Sequence, residues 1–318
     1  MNNFQQVSIV GGETLIGREL RDQIEERKYP VFVKALGSEE DVFTNIVTIK
    51  DGEPVIMPKL DAAALAESSV VFLTGNAESS LEAWDILSRL NPRPAIVDVT
   101  GHLPESAENI STVLHPAAHA IITFMARIIR QHRVRLAIIQ IFQPASEFDQ
   151  AGIDELQQQT TSLLNLRTQN KEVYDAQLAF TMLPRFGTAS PHKIEETESR
   201  IYQEVAASGV HPVPSLHLVQ APVFHGHSFS AWIQFEENPG PQSLRESLAS
   251  AQVEIRENTE EPPTNTGVVG QSGVHIGVIE VDRNDPKACW LWAATDNFRI
   301  LADQAIESVQ PLLSGAEQ

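Results

Sequence analysis

A short apolar run at residues 7–10 ends in Gly11-Gly12, and a helical pattern begins almost at once. Apolar Leu15, Leu20 and Ile24 recur at helical spacing over residues 15–26, with charge on the opposite face. The unit repeats. Residues 31–36, 70–73 and 95–99 are further apolar runs ending in small residues: Gly37, Thr74-Gly75-Asn76 and Thr100-Gly101. Residues 81–90 read as helix between two of them. Short strands alternating with helices mean βαβ units, and βαβ units build a parallel sheet. Ligands in such sheets gather at the carboxyl ends of strands, where these small residues fall.

The pattern changes near residue 115. Residues 116–129 read as helix, with Pro116 suited to its first turn. The strands that follow are longer: 134–142, 228–235, 274–281 and 289–294. In the second of these Phe229, Ala231, Ile233 and Phe235 alternate with Ser230, Trp232 and Gln234, the signature of a sheet with one covered face. Helices are expected at 149–164 and 193–207, and a closing helix at 302–313. The fold class is therefore α/β. A Rossmann-like parallel-sheet domain spans residues 1–115 and is completed by the C-terminal segment 297–318. An α+β domain with a mixed or antiparallel sheet spans 116–296.

Composition narrows the function. The 318 residues hold 23 Lys+Arg and 42 Asp+Glu, a net charge of −19. That excess of carboxylates disfavours nucleic acid and anionic membrane, which both demand a cationic surface. The one basic cluster, Arg127, Arg130, Arg133 and Arg135 with His132, lies at a helix end, where cations meet the dipole favourably. No run of about 18 apolar residues is present, so no bilayer-spanning helix is expected. The start has no cationic leader, and a cytoplasmic location is the expectation. Cys289 is the only cysteine, which excludes an internal disulfide and a thiolate-rich metal site. It lies in an apolar strand and reads as a small hydrophobe.

The turn GGETLIG at residues 11–17 joins the first strand to the first helix. Gly11 suits the tight turn, and Gly17 allows close approach of helix and strand. A phosphate would meet the helix N-terminus there. Thr14 stands near the middle glycine of the dinucleotide fingerprint, and Glu13 adds a repelling carboxylate. Candidate cofactor contacts are Gly11, Thr14, Leu15, Gly17, Thr74 and Gly75, with Ser38 beside the acids Glu39, Glu40 and Asp41. Those acids suit a ribose hydroxyl and repel a 2′-phosphate, so NAD is favoured over NADP. Equally, the acids form a solvated loop, and the turn serves a scaffold with weak or no dinucleotide binding.

Further along, QAPVFHGH at residues 220–227 and ATDNFR at 294–299, taken with GGETLIG, resemble the aspartate-semialdehyde dehydrogenase family. The QAPVF-x-GH form and AF-x-MLP at 179–184 are most similar to its Usg-type paralogues. The resemblance covers essentially the whole chain. It implies a homodimer formed by the second domain, with a tryptophan-bearing sheet face (Trp232, Trp290, Trp292) covered by the other subunit. It adds Asn297 to the candidate cofactor contacts. It also implies a thiol mechanism: a cysteine at a helix start attacks the aldehyde, hydride passes to NADP, and phosphate releases the acyl group.

The matching segment here is HPAAHA, residues 115–120, and Ala118 falls at the nucleophile position. Alanine has no nucleophilic atom. Gln143 and His227 match the family's glutamine and acid/base histidine. Gln220 replaces the arginine that grips the substrate carboxylate, Glu198 replaces a lysine, and Pro104 falls where another arginine is expected. Glu13, Glu147 and Asp149 add negative charge. The resemblance also places His119 near His227, which with Glu147 suggests a proton-transfer or metal group; the plainer expectation is that no metal is held. His225, two residues before His227, can share its face. Two functions are expected from these residues. The first is a dimeric interaction or regulatory protein, with an unidentified protein partner, that has lost the family reaction and keeps residual NAD binding at most. The second is an active oxidoreductase without a covalent intermediate, with His227 handling the proton and NAD(P) the hydride.

Overall fold

A computed structural model describes residues 5–37, 47–50, 53–104, 110–257 and 259–315. Ser38 and the acids 39–41 lie outside the described residues. The chain divides into two compact units, 1–114 with 301–318, and 115–300.

The first unit contains β1 (Gln5–Val10), α1 (Leu15–Glu26), β2 (Val31–Leu36), β3 (Val47–Lys50), β4 (Glu53–Ile56), α2 (Ala62–Ala66), β5 (Ser68–Leu73), α3 (Ala77–Leu87), β6 (Ala95–Asp98) and β7 (Ile110–Thr112). Five strands form one sheet in the order β2-β1-β5-β6-β7, and every pairing in it is parallel. Val7, Ile9, Val70 and Phe72 are fully buried, and so are Val10, Val71 and Leu73. Helices covering both faces of the sheet require that pattern. The hairpin β3–β4 stands apart from this sheet and has no periodic signal in the sequence.

The chain leaves β1 toward β2 on one side and returns to β5 on the other. This makes the carboxyl ends of β1 and β5 the topological switch point, the usual ligand crevice of open α/β sheets. Gly11 follows β1 and Thr74-Gly75 follows β5.

The second unit contains α4 (Pro116–Gln131), β8 (Val134–Gln143), α5 (Asp149–Leu164), α6 (Ile194–Ala207), β9 (Ser215–Gln220), β10 (His227–Phe235), α7 (Gly240–Leu248), β11 (Val253–Ile255), β12 (Val274–Val281) and β13 (Ala288–Thr295). Its six-stranded sheet runs β11-β12-β13-β10-β8-β9. The sheet is mixed: β10 is antiparallel to both neighbours, while β8–β9 and β11–β12 are parallel. Phe229, Ala231, Ile233 and Phe235 are buried together with the apolar stripe of α4, which includes Ile121, Phe124, Met125 and Ile128. Leu136, Ile138 and Trp290 are exposed. In register, Trp232 lies across from both Trp290 and Ile138.

The expected closing helix is two helices, α8 (Asn297–Ser308) and α9 (Gln310–Leu313). Pro311 occupies the first turn of α9, a position that tolerates its missing N–H. None of the helices among the described residues is long and apolar enough to cross a membrane.

No regular element occupies residues 165–193. Two buried side chains one turn apart on α5 order much of this long connection. Glu155 accepts from the backbone N–H of Val173 and Tyr174. The Gln159 amide accepts from Leu178 and Ala179 N–H and donates to the carbonyls of Asn170 and Ala176. Leu183, at the far end of the connection, then exchanges two backbone hydrogen bonds with Gln220.

Candidate functional site

The glycine turn of the first unit is explained by its own packing. Gly11 has φ +83°, and a Cβ on it would lie 2.4 Å from the Gly75 nitrogen. A Cβ on Gly17 would lie 2.4 Å from the Gly11 carbonyl oxygen. Thr14 caps α1: its Oγ1 accepts from Gly17 N–H at 3.0 Å and donates to the Gly11 carbonyl at 2.8 Å. The Thr74 hydroxyl donates to the carbonyls of Val10 and Gly11. The N–H groups of Gly11 and Gly12 go to Leu36, and that of Thr14 to Gly11. A pyrophosphate needs turn N–H groups free to donate to it. Here the N–H groups of Gly11, Gly12, Thr14 and Gly17 already have acceptors within the protein, and Glu13 brings a carboxylate to the turn. The fit to a dinucleotide phosphate is therefore poor.

In the second unit the residues singled out by sequence converge from four places: the start of α4, the turn after β8, the segment from Gln220 to His227, and the start of α8. Pro116 sets the first helical φ of α4, and His115 precedes it as the cap. The His115 Nδ1 accepts from Ala117 N–H at 3.1 Å, so its Nε2 carries the proton. That Nε2–H donates to Glu147 Oε1 at 2.8 Å. The His115 backbone N–H donates to Glu204, which pairs with Arg200. The other oxygen of Glu147 lies 3.6 Å from His227 Nε2. Ala118 is fully buried in the first turn of α4.

The electrostatics of this group follow from burial and neighbours. Burial opposes ionisation of Glu147, but the His115 hydrogen bond and the combined attraction of His115, His227 and Arg200 outweigh it, and the carboxyl is held down to about 2. His227 is fully buried, and burial pushes its imidazole down to about 3 against the attraction of Glu147. At neutral pH the pair is a carboxylate beside a neutral imidazole. Neither ring nitrogen of His227 has a hydrogen-bond partner among the described residues.

A histidine that meets His227 is His115: the two rings lie 5.7 Å apart, edge to face. The helix cap rotates His115 into the site, a consequence of His-Pro at a helix start that sequence reading can use. Glu204 and Arg200 also escaped it, because they lie more than 80 residues from His115 and belong to α6.

A second chain of contacts runs alongside. Ser146 Oγ lies 3.2 Å from His225 Nδ1, and His225 Nε2 lies 2.8 Å from Asp296 Oδ1. Serine, imidazole and carboxylate in series are the parts of a hydrolytic triad. Here they are structural. Ser146 is buried and also bonds the Asn297 amide. The N–H groups of Ala145 and Ser146 are committed to the carbonyls of Val223 and Phe224, so neither is free to stabilise an oxyanion. His225 and His227 do not act together: each has its own acid, Asp296 and Glu147 respectively. Asn297, expected among the cofactor contacts, accepts from Gly226 N–H and holds Ser146 within the second unit.

Asp296 also accepts from the N–H groups of Gly270, Phe298 and Arg299. Burial opposes its ionisation, but His225 and these backbone donors hold its carboxyl below the usual range. A depressed carboxylate contributes stability that is complete above its unfolded value and is lost as pH falls through its folded value. Asp296→Asn is therefore expected to be less stable than the parent at pH 7 by about 1–2 kcal/mol. The gap should narrow below about pH 4, where the parent loses the contribution. Urea midpoints at the two pH values measure this; parallel losses in both proteins would contradict it.

Gln143 and Gln220 hold each other. Gln143 Nε2 donates to Gln220 Oε1 at 2.9 Å, and Gln220 Nε2 returns to the Gln143 carbonyl at 3.0 Å. Both are fully buried. The Glu198 carboxylate caps the Leu218 N–H of β9. Pro104 is exposed in the first unit. Cys289 is buried with its thiol on Asn238, and burial raises its pKa, the setting of an inert thiol.

Comparison with known proteins gives this architecture a family. Residues 126–300 match the model described as "Semialdehyde dehydrogenase, dimerisation domain". The chain belongs to the semialdehyde dehydrogenase family. It is similar to aspartate-semialdehyde dehydrogenase of Rickettsia bellii, 25 % identical over 98 % of this chain and 97 % of that protein. It is also similar to the USG-1 protein homolog of Azotobacter vinelandii, 26 % identical over 96 % of this chain and 95 % of that one. The crystal structure of aspartate semialdehyde dehydrogenase II from Vibrio cholerae has the same fold. Its TM-score is 0.83 at 19 % identity, over 99 % of this chain and 100 % of that one.

Proposed function

We propose that this chain is a family member without the phosphorylating aldehyde dehydrogenase activity, serving as a dimeric interaction or regulatory protein. The observation that carries the reading is Ala118 at the place where the family resemblance puts the thiol. Around it the polar positions are turned to other uses. Gln220 is bonded to Gln143, Glu198 caps a strand N–H, and Glu147 is an ionised acid held by His115. An anionic substrate and phosphate both require cations at such a centre. The dimer is supported by the match to the dimerisation-domain model and by the exposed apolar face of Leu136, Ile138 and Trp290. Dinucleotide affinity is weak at most, because the GGETLIG turn uses its own donors. The setting is taken to be cytoplasmic.

The test is a steady-state assay with aspartate semialdehyde, phosphate and NAD or NADP. No turnover above background is expected, and clear turnover with either nucleotide would refute the reading. A second reading, hydride transfer without a covalent intermediate, rests on one observation: His227 lies 3.6 Å from the Glu147 carboxylate, a pairing through which a proton can pass. Calorimetry separates the two, since the second reading demands NAD or NADP binding below millimolar.

A further inference from the structure

We propose that His115, Glu147 and His227 form a binding site for a divalent transition-metal ion, with zinc as the test ion. This goes beyond the functional reading, which assigns no ligand to these three residues. One donor atom from each of the three residues lies within 4.8 Å of the other two. The measured separations are 2.8 Å between His115 Nε2 and Glu147 Oε1, and 3.6 Å between Glu147 Oε2 and His227 Nε2. Ligands about 2.1 Å from a tetrahedral ion sit roughly 3.4 Å apart. These two edges run to different oxygens of Glu147, so a shared ion needs the carboxylate to turn as well as the distances to change by a few tenths of an ångström.

The second observation is the state of His227. Its side chain is fully buried, and neither nitrogen has a hydrogen-bond partner among the described residues. A buried unpartnered polar group is costly and calls for an explanation. The Ser146–His225–Asp296 chain next to it shows the contrast, because there both imidazole nitrogens have partners. An ion on Nε2 gives that nitrogen a partner and leaves only Nδ1 without one.

Two imidazoles and one carboxylate suit zinc, cobalt or ferrous iron over calcium and magnesium, which prefer all-oxygen sites. Three protein ligands leave a coordination position open for an outside oxygen donor. Glu147 keeps 17 % of its side chain exposed, which gives an ion a way in. One feature opposes binding. The His115 Nδ1 accepts from Ala117 N–H, so ligation through Nε2 moves the ring proton to Nδ1 and breaks that cap. Binding is therefore weaker than at sites whose histidines donate to a second-layer acceptor.

The experiment uses the full-length protein, stripped with chelator and free of any histidine tag. Zinc is titrated against a competing chromophoric chelator, and cobalt is added separately to read its visible d–d bands. One equivalent per chain with micromolar or tighter affinity is expected. Four- or five-coordinate cobalt bands are expected as well. Glu147→Gln and His227→Gln should each weaken binding by about tenfold to a hundredfold. His211→Gln and His217→Gln, on exposed histidines elsewhere in the unit, should leave it unchanged. Circular dichroism checks folding. If His227→Gln does not fold, Glu147→Gln, at a partly exposed position, decides alone. Absence of binding, or binding insensitive to Glu147→Gln, overturns the proposal. Neither readout involves turnover, so failure here leaves the functional reading standing.

Discussion

Glu155→Ala is expected to lower the stability of the second unit by about 3–5 kcal/mol, a large part of what a domain possesses. Glu155 is 2 % exposed, and its carboxylate is the acceptor for the N–H groups of Val173 and Tyr174. Each buried donor left without an acceptor costs about 1–3 kcal/mol. Gln159 also loses the carboxylate to which it donates at 3.0 Å. The damage does not stay local. Glu155 and Gln159 hold residues 173–179, the same connection reaches Leu183, and Leu183 is bonded to Gln220 beside Gln143. Chemical denaturation gives the loss directly. Amide exchange should show Val173 and Tyr174 as newly unprotected, while Val70–Leu73 of the first unit stay protected. A loss under about 1 kcal/mol would mean that solvent replaces the carboxylate and that the connection is held by other contacts.

This acid also shows what was legible in the sequence and what was not. The βαβ alternation of the first third predicts the parallel sheet, because a strand covered on both faces must be apolar along its whole length, and residues 70–73 are. The alternation in residues 228–235 predicts a sheet with one covered face for the same kind of reason, and Phe229 through Phe235 are buried at every second position. Such patterns are local, and local patterns can be read. Glu155 and Gln159 carry no such signal. They sit on a helix whose other residues are largely polar, and their partners lie up to 20 residues away in a connection without periodicity. The strands β7, β9 and β11 were equally hidden: they are short or half-exposed, and tertiary pairing decides them.

The candidate site divides in the same manner. Residue identity placed His227, Gln143 and Ala118 in one region of the second unit. It did not say that Gln143 and Gln220 are bonded to each other, nor that His115 turns toward Glu147. A hydrogen bond between residues 77 positions apart depends on strand register, here Gln143 against Gln220 in the parallel pairing of β8 and β9. Register is set by the whole sheet. The glycine turn is the converse case: its sequence suggested a ligand, and its geometry supplies a packing reason for both Gly11 and Gly17.

If the proposed reading holds, placing a thiol at position 118 should not by itself produce the family reaction. Ala118→Cys is expected to show no detectable turnover of aspartate semialdehyde with phosphate and NADP, at least about 10⁴-fold below the kcat/KM of ordinary enzymes. The helix start is a favourable place for a thiolate, since the dipole of α4 lowers thiol pKa there. Nucleophile activation is therefore not the barrier. The anions are. Glu147 remains ionised in this region, and a substrate carboxylate or phosphate about 4 Å from it is opposed by about 4 kcal/mol at an effective dielectric near 20. That alone is close to 10³-fold. Gln220 adds no cation and is already bonded to Gln143, so freeing it breaks two buried hydrogen bonds. Ala118 is also fully buried, so an introduced sulfur meets packed neighbours before it meets an aldehyde. Steady-state rates and burst-phase acylation are the measurements, since a burst without turnover would place the block at phosphorolysis. Turnover in Ala118→Cys within tenfold of an active family enzyme would show that the acids and glutamines are bystanders and that a thiol at this position is enough for the chemistry.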